Sequence, residues 1–272
     1  MSDRFAEDFA VGFVPGPSGR LFLTKIAPPA PTKGSLLIVP PFAEEMNCSR
    51  RFMSGLARAL AKSGVACWIV DLWGTGDSEG DFATADLNVW CADIAHISAW
   101  LAERDGAAPR RLGIRLGASL AAAADQPAQA LIMIQPVLNG QTFTTQFLRV
   151  RIAAGMAAGR RETAKQLREM SAKGTQLSVA GYRLSPSLVS QLDGFSLDQV
   201  DIDGKGLVSW YETQRTVAED APRRLSPPQA WLAHVAHDRL VAAEPFWSIQ
   251  EPTVPPGLIE TVCADLQMPV AT

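Results

Sequence analysis

Histidine is scarce: the 272 residues hold only His96, His234 and His237, so any imidazole base must be one of three side chains. Cysteine is nearly as rare. Cys48, Cys67, Cys91 and Cys263 stand far apart without a C-x-x-C pair, which argues against a disulfide scaffold or a thiolate zinc site. His234 and His237 form an H-x-x-H pair with no evident third ligand, so neither a metal nor another cofactor is expected. The formal net charge of −3 gives no global attraction for nucleic acid. No apolar run approaches about 18 residues, so no transmembrane segment is expected. The acidic opening MSDRFAEDFA lacks the apolar core of a secretion signal, which leaves a cytoplasmic protein as the expectation.

What is present is a chain 47% apolar and 19% charged, rich enough to bury a sizeable core in one domain or in one domain with an insertion. GRLFLTKIAP (19–28) and GSLLIVPP (34–41) read as strands. A helix capped by Asn47 or Ser49 follows, with Phe52, Leu56 and Leu60 at four-residue steps and Gly64 closing it. GVACWIVDLWG (64–74) is apolar without alternation, as in a strand covered on both faces. A helix over about 85–104 aligns Trp90, Ile94, Ile97 and Leu101, leaving His96 off that stripe. RRLGI is then a short strand, LGASLAAAAD a helix and ALIMIQPVL (130–138) another buried strand. Alternation of this kind specifies an α/β fold with a doubly wound, mostly parallel sheet.

The alternation breaks at 139–204. Residues 149–173 carry seven arginines and lysines against two carboxylates, Glu162 and Glu169. Strands resume with GLVSWYE (206–212) and QAWLAHVA (229–236), the latter containing His234. The reading is a core of 1–138 and 205–272 with a lid inserted at 139–204, over the sheet edge where such folds bind ligands.

Gly113-Ile114-Arg115-Leu116-Gly117 has the glycine spacing of the G-x-S-x-G turn on which many hydrolases mount a serine, with arginine at its centre. A second register, Gly117-Ala118-Ser119-Leu120-Ala121, centres on Ser119. The first is favoured because it leaves about ten residues of helix before Gln126-Pro127, against about six for the second. It also keeps Gly113 out of mid-strand. Pro40-Pro41-Phe42-Ala43 falls between a strand and a helix, where an oxyanion-hole amide is placed. Phe42 and Leu116 would supply the two N–H groups. Asp71 to Gly80 fails as a dinucleotide fingerprint because the third glycine position falls on Glu79.

Together these residues resemble the α/β-hydrolase superfamily over nearly the whole chain. More narrowly, VPPFAEEMNCSRR, GIRLGASLA, AGYRLSP and AAEPFWSIQEP resemble the second hydrolase found with exosortase A systems, which are associated with bacterial protein sorting and extracellular polysaccharide synthesis. The resemblance implies that Arg115 occupies the nucleophile position, Glu244 the histidine position and Glu212 the acid position, so that Ser/His/Asp has become Arg/Glu/Glu. Glu44, Glu45, Glu212 and Glu244 are the carboxylates within reach of a guanidinium at 115. Glu244 is the expected principal partner, and breaking that pair when buried costs about 3–5 kcal/mol.

These readings lead to two expectations. One is an inactive accessory or binding protein that accepts a small acyl or anionic ligand, with exosortase-system components as partners. The other is an ester, thioester or acyl-transfer hydrolase using Ser119 or Cys48 with His237.

Overall fold

The computed structural model describes residues 5–29, 32–218, 222–249, 251 and 253–267. An antiparallel pair, β1 (Phe9–Pro15) and β2 (Arg20–Ile26), alternates buried and outward side chains. The strands β3 (Ser35–Val39) and β4 (Ala66–Val70) are buried at every residue and flank the helix α1 (Glu44–Lys62) in sequence. After α2 (Leu87–Asp105), the strand β5 (Arg110–Ile114) leads into the short helix α3 (Leu116–Ala123), and β6 (Ala130–Ile134) follows. An inserted segment then carries α4 (Gly140–Ala157), α5 (Ala164–Ala172), a hairpin of β7 (Leu177–Val179) with β8 (Tyr182–Leu184), and α6 (Pro186–Gly194). The chain returns through β9 (Leu207–Gln214) and β10 (Val235–Ala242) and ends its described part in α7 (Pro256–Gln267).

The main sheet runs β1-β2-β4-β3-β5-β6-β9-β10. β1, β2 and β4 pair antiparallel, and every pair from β4 to β10 is parallel. Phe52, Leu56, Leu258 and Val262 bring α1 and α7 onto one face. Trp90, Ile94, Ile97 and Leu120 bring α2 and α3 into the opposite core. This is an α/β fold with a mixed, mostly parallel sheet and inserted helices. Among the described residues no helix is long and apolar enough to cross a membrane.

Three neighbouring strands are each followed by a residue of positive φ. Ala43 after β3, Arg115 after β5 and Gln135 after β6 have φ of 52°, 56° and 47°, a region costly for residues with a Cβ. Ala43 and Arg115 share ψ of −125° and stand directly before α1 and α3. The reason lies in close packing. A methyl group on Gly117 would lie 2.1 Å from the Pro40 carbonyl oxygen, and one on Gly113 would lie 2.3 Å from Ala118 Cα. Only glycine lets α3 start so near the exits of β3 and β5.

The other end of α3 is closed by two buried cations. Arg111 Nη1 donates to the carbonyls of Ala121 (2.8 Å) and Ala124 (3.1 Å), and Lys205 Nζ donates to that of Ala122 (2.6 Å). They satisfy orphan carbonyls where the helix dipole is negative. Burial lowers both pKa values, that of Arg111 to about 10.

Several elements differ from the sequence reading. α1 begins at Glu44 with no side-chain cap, because the Ala43 turn replaces the expected cap at Asn47 or Ser49. QAWLAH forms a 3-10 turn over Gln229–His234, so the last strand lies later, and His237 and Asp238 fall within it. β1, the β7–β8 hairpin and α7 are additional elements, with no clear periodic signal in the sequence. A Gly117→Ala exchange is expected to destabilise the fold by about 1–3 kcal/mol through overpacking, measured by urea denaturation, whereas Gly194→Ala, with open space around its missing Cβ, serves as the mild control.

Candidate functional site

The G-x-R-x-G turn places Arg115 at the C-terminal edge of the sheet, with its N–H donated to the Ile134 carbonyl (2.9 Å). Its guanidinium does not meet Glu244. Nε lies 3.3 Å from Glu45 Oε1, and both side chains are largely covered, 16% and 23% exposed. Two rings lie within cation–π range of the guanidinium, with centroids 5.3 Å (Trp247) and 5.9 Å (Phe143) from its Cζ. Glu244 instead pairs with Arg215 at 3.0 Å, where it is 52% exposed. The expected Arg115–Glu244 pair is therefore corrected to Arg115–Glu45. α1 starts immediately after the Ala43 turn, so its first residues are aimed at the neighbouring turn. The segment after β10 contributes Trp247 rather than its carboxylate.

Glu45 Oε2 is buried and accepts no hydrogen bond among the described residues. Burial holds the Glu45 carboxyl above its ordinary value, against the opposing pull of Arg115. Its neighbour Glu44 is exposed and accepts from Asn47 Nδ2 and from Tyr182 Oη (3.2 Å), which ties β8 to the start of α1. Arg183 with Asp81 (2.5 Å) and Ser185 with the Ala85 carbonyl (3.2 Å) fasten the same segment to the loops after β4. From the inserted helix α4, Phe143 and Phe147 meet Phe42 edge to face at 5.6 and 5.0 Å. The insertion thus covers the elbow.

Two small hollows border it among the described residues. One of about 170 Å3 is bounded by Arg115, Val137, Thr142, Phe143, Gln146 and Leu225. A second, apolar and about 20 Å3, lies between Phe42, Leu116, Leu72, Phe82 and Trp90. The N–H groups of Phe42 and Leu116 donate no hydrogen bond among the described residues. They remain available at the head of a helix, a position that favours negative charge.

The other candidates are separated from this edge or already committed. The Ser119 hydroxyl is buried, donates to the Val137 carbonyl (2.8 Å) and accepts the Val137 N–H (3.0 Å), so it braces the start of the insertion. Cys48, on α1, is a poor nucleophile because burial raises its thiol pKa, and Glu44 and Glu45 raise it further. His237 pairs with Ser209, which is level with Ile132 and, through it, with Leu112. Three strand spacings, about 14 Å, therefore separate it from β5, at a level before the elbow. Joining His237 to Ser119 or Cys48 is corrected on that ground. His96 contacts the Pro15 carbonyl (2.8 Å) beside β1, and His234 ends a 3-10 turn. None of the three histidines accompanies Arg115.

Glu212 is fully buried at the end of β9. It accepts from Gln214 Nε2 (2.8 Å), Arg223 Nε (2.8 Å) and the N–H groups of Arg224 (2.9 Å) and Leu225 (3.3 Å). Burial alone would raise its pKa, but these bonds together outweigh it and the carboxyl is held below its ordinary value. It clamps the loop that presents Leu225 to the void beside Arg115 and does not touch the guanidinium itself. Among the described residues no cluster of three or more His, Cys, Asp or Glu side chains is arranged to hold a metal ion.

No family model and no curated protein matches the chain. Solved structures do. Est1E from Butyrivibrio proteoclasticus, with ferulic acid bound, is similar with a TM-score of 0.60 at 16% identity, over 94% of this chain and 96% of that one. An esterase from Pyrococcus furiosus gives 0.59 at 12% identity, over 95% and 90%. Mouse alpha/beta hydrolase domain-containing protein 10 gives 0.53 at 15%, over 94% and 98%. At these identities the likeness is one of fold, and the fold is that of the α/β-hydrolases.

Two measurements check this geometry. A carboxyl whose pKa is raised by folding stabilises the native state at low pH and loses that contribution as pH rises past its ordinary 4.5. Replacing Glu45 by Gln removes this loss, so the unfolding free energy of Glu45→Gln relative to the unmodified chain shifts in the variant's favour between about pH 4 and about pH 8. Glu244→Ala, at an exposed pair, is expected to change stability by less than about 1 kcal/mol, in place of the larger loss expected of a buried partner; both are read by chemical denaturation.

Proposed function

We propose that the chain is a binding or accessory protein on an α/β-hydrolase scaffold, without a working serine triad. The observation that carries this reading is the elbow itself: its central side chain is a guanidinium paired to Glu45, and none of the three histidines stands beside it. A guanidinium stays protonated and cannot attack a carbonyl. Without an imidazole at the same edge, the histidine step of a serine triad has no carrier there. Arg115 occupies the nucleophile position, Glu244 stands beyond β10 where a histidine would be carried, and Glu212 positions the loop below.

The ligand in this reading is a small acyl or anionic group. Its head would take the free N–H groups of Phe42 and Leu116, and its body the void beside Arg115. Glu45 offsets the charge of Arg115, so the backbone amides supply the net attraction. The motif resemblance supports a place in exosortase-linked protein sorting or exopolysaccharide production, with components of that system as partners and the cytoplasm as the compartment.

A fluorophosphonate probe and a panel of short acyl esters test the proposal. The unmodified chain is expected to be neither labelled nor active, and Arg115→Ser alone is expected to remain inefficient because the base is still missing. Labelling abolished by Ser119→Ala, or ester turnover abolished by His237→Ala, would overturn it in favour of hydrolysis by an atypical nucleophile.

A further inference from the structure

A larger cleft opens at the opposite, N-terminal edge of the sheet, where β5, β6 and β9 begin and α1 ends. Its volume is about 610 Å3, within the range of small-molecule sites. Lys33, Lys62 and Arg110 line it, and none of the three has an ion-pair partner among the described residues. The stem of Lys33 lies over Gly64, where an added Cβ would come within 3.2 Å of it. Capping does not explain these cations. At the end of α1 the Leu60 carbonyl already accepts from Val65 N–H (3.2 Å) and the Ala61 carbonyl from Gly64 N–H (3.0 Å).

Asp265 is the cleft's carboxylate, and it is already neutralised. Arg239 donates to it through Nε (3.1 Å) and Nη2 (2.8 Å), and Tyr211 Oη donates at 3.1 Å. His237 shares the same wall, with Nδ1 3.0 Å from Ser209 Oγ and Nε2 3.9 Å from Asp265. Three cations without an ion-pair partner among the described residues thus line a concave surface whose remaining wall includes the partly exposed Leu207 and Leu266. We propose that this cleft binds an acidic amphiphile, a phosphate monoester head carried on an apolar chain. The head lies among Lys33, Lys62 and Arg110, and the chain runs along the leucines. The site is separate from the elbow and does not depend on the reading of Arg115.

Isothermal titration of the full chain with octyl phosphate below its micellar concentration tests it, with inorganic phosphate and octyl glucoside as the headgroup-only and uncharged probes. Octyl phosphate is expected to bind at this cleft at least about tenfold tighter than either comparison probe, because head and chain contribute together. The double variant Lys62→Gln/Arg110→Gln is expected to weaken it about tenfold or more by removing two facing charges, with an unchanged thermal midpoint showing that the fold is intact. Arg115→Gln is expected to leave the affinity unchanged. Equal affinity for octyl phosphate and either comparison probe overturns the proposal. So does insensitivity to Lys62→Gln/Arg110→Gln, and so does loss of binding in Arg115→Gln, which would place the ligand at the elbow.

Discussion

The contact between Gly117 and the Pro40 carbonyl sets the geometry of the whole upper edge. Because α3 begins against the exit of β3, two adjacent strands must turn abruptly into their helices, and both do so with φ near +55° and ψ of −125°. The first turn delivers Phe42 and the acidic start of α1; the second delivers Arg115. Their proximity makes Glu45, in the first turn of α1 just after Ala43, the natural counterion for Arg115. A carboxylate carried after β10 lies further along the sheet. Serine at 119 and the clamp at Glu212 then secure the segments that roof this edge.

Arg115 is a covered charge with one carboxylate and two aromatic faces around it. Such an arrangement is stabilising only while its parts remain together, since a buried ion left alone is expensive. The same burial that protects the pair raises the Glu45 carboxyl. Electrostatic compensation at the elbow is therefore local, and the exposed Arg215–Glu244 pair contributes little to it.

Much of the architecture was legible because it depends on continuous apolar strands, such as Leu36–Val39 and Leu131–Ile134, and on the stripe Trp90/Ile94/Ile97/Leu101. The Gly-Ile-Arg-Leu-Gly spacing identified the turn because glycine is demanded there by contact distances. β10 was hidden by His237, Asp238 and Arg239, which suit an edge strand with solvent on one side but interrupt an apolar pattern. β1, the other edge, mixes exposed Phe9 and Val11 with buried partners. The identity of the arginine's partner was not legible: four carboxylates were in reach on sequence grounds, and the choice among them depends on where a capless helix begins. Trp247 and Phe143 lie about 100 residues apart, and no local spacing connects them.

The turn at Arg115 retains a backbone shape that arginine does not need. Its strain, of order 1–3 kcal/mol, is imposed by how a helix docks on two strands, whatever side chain sits at the apex. The apex is consequently an interchangeable socket: its occupant can be swapped from attacking group to fixed cation while the scaffold stays put. The bend at position 115 thus belongs to the docking of α3, and any side chain placed there inherits it.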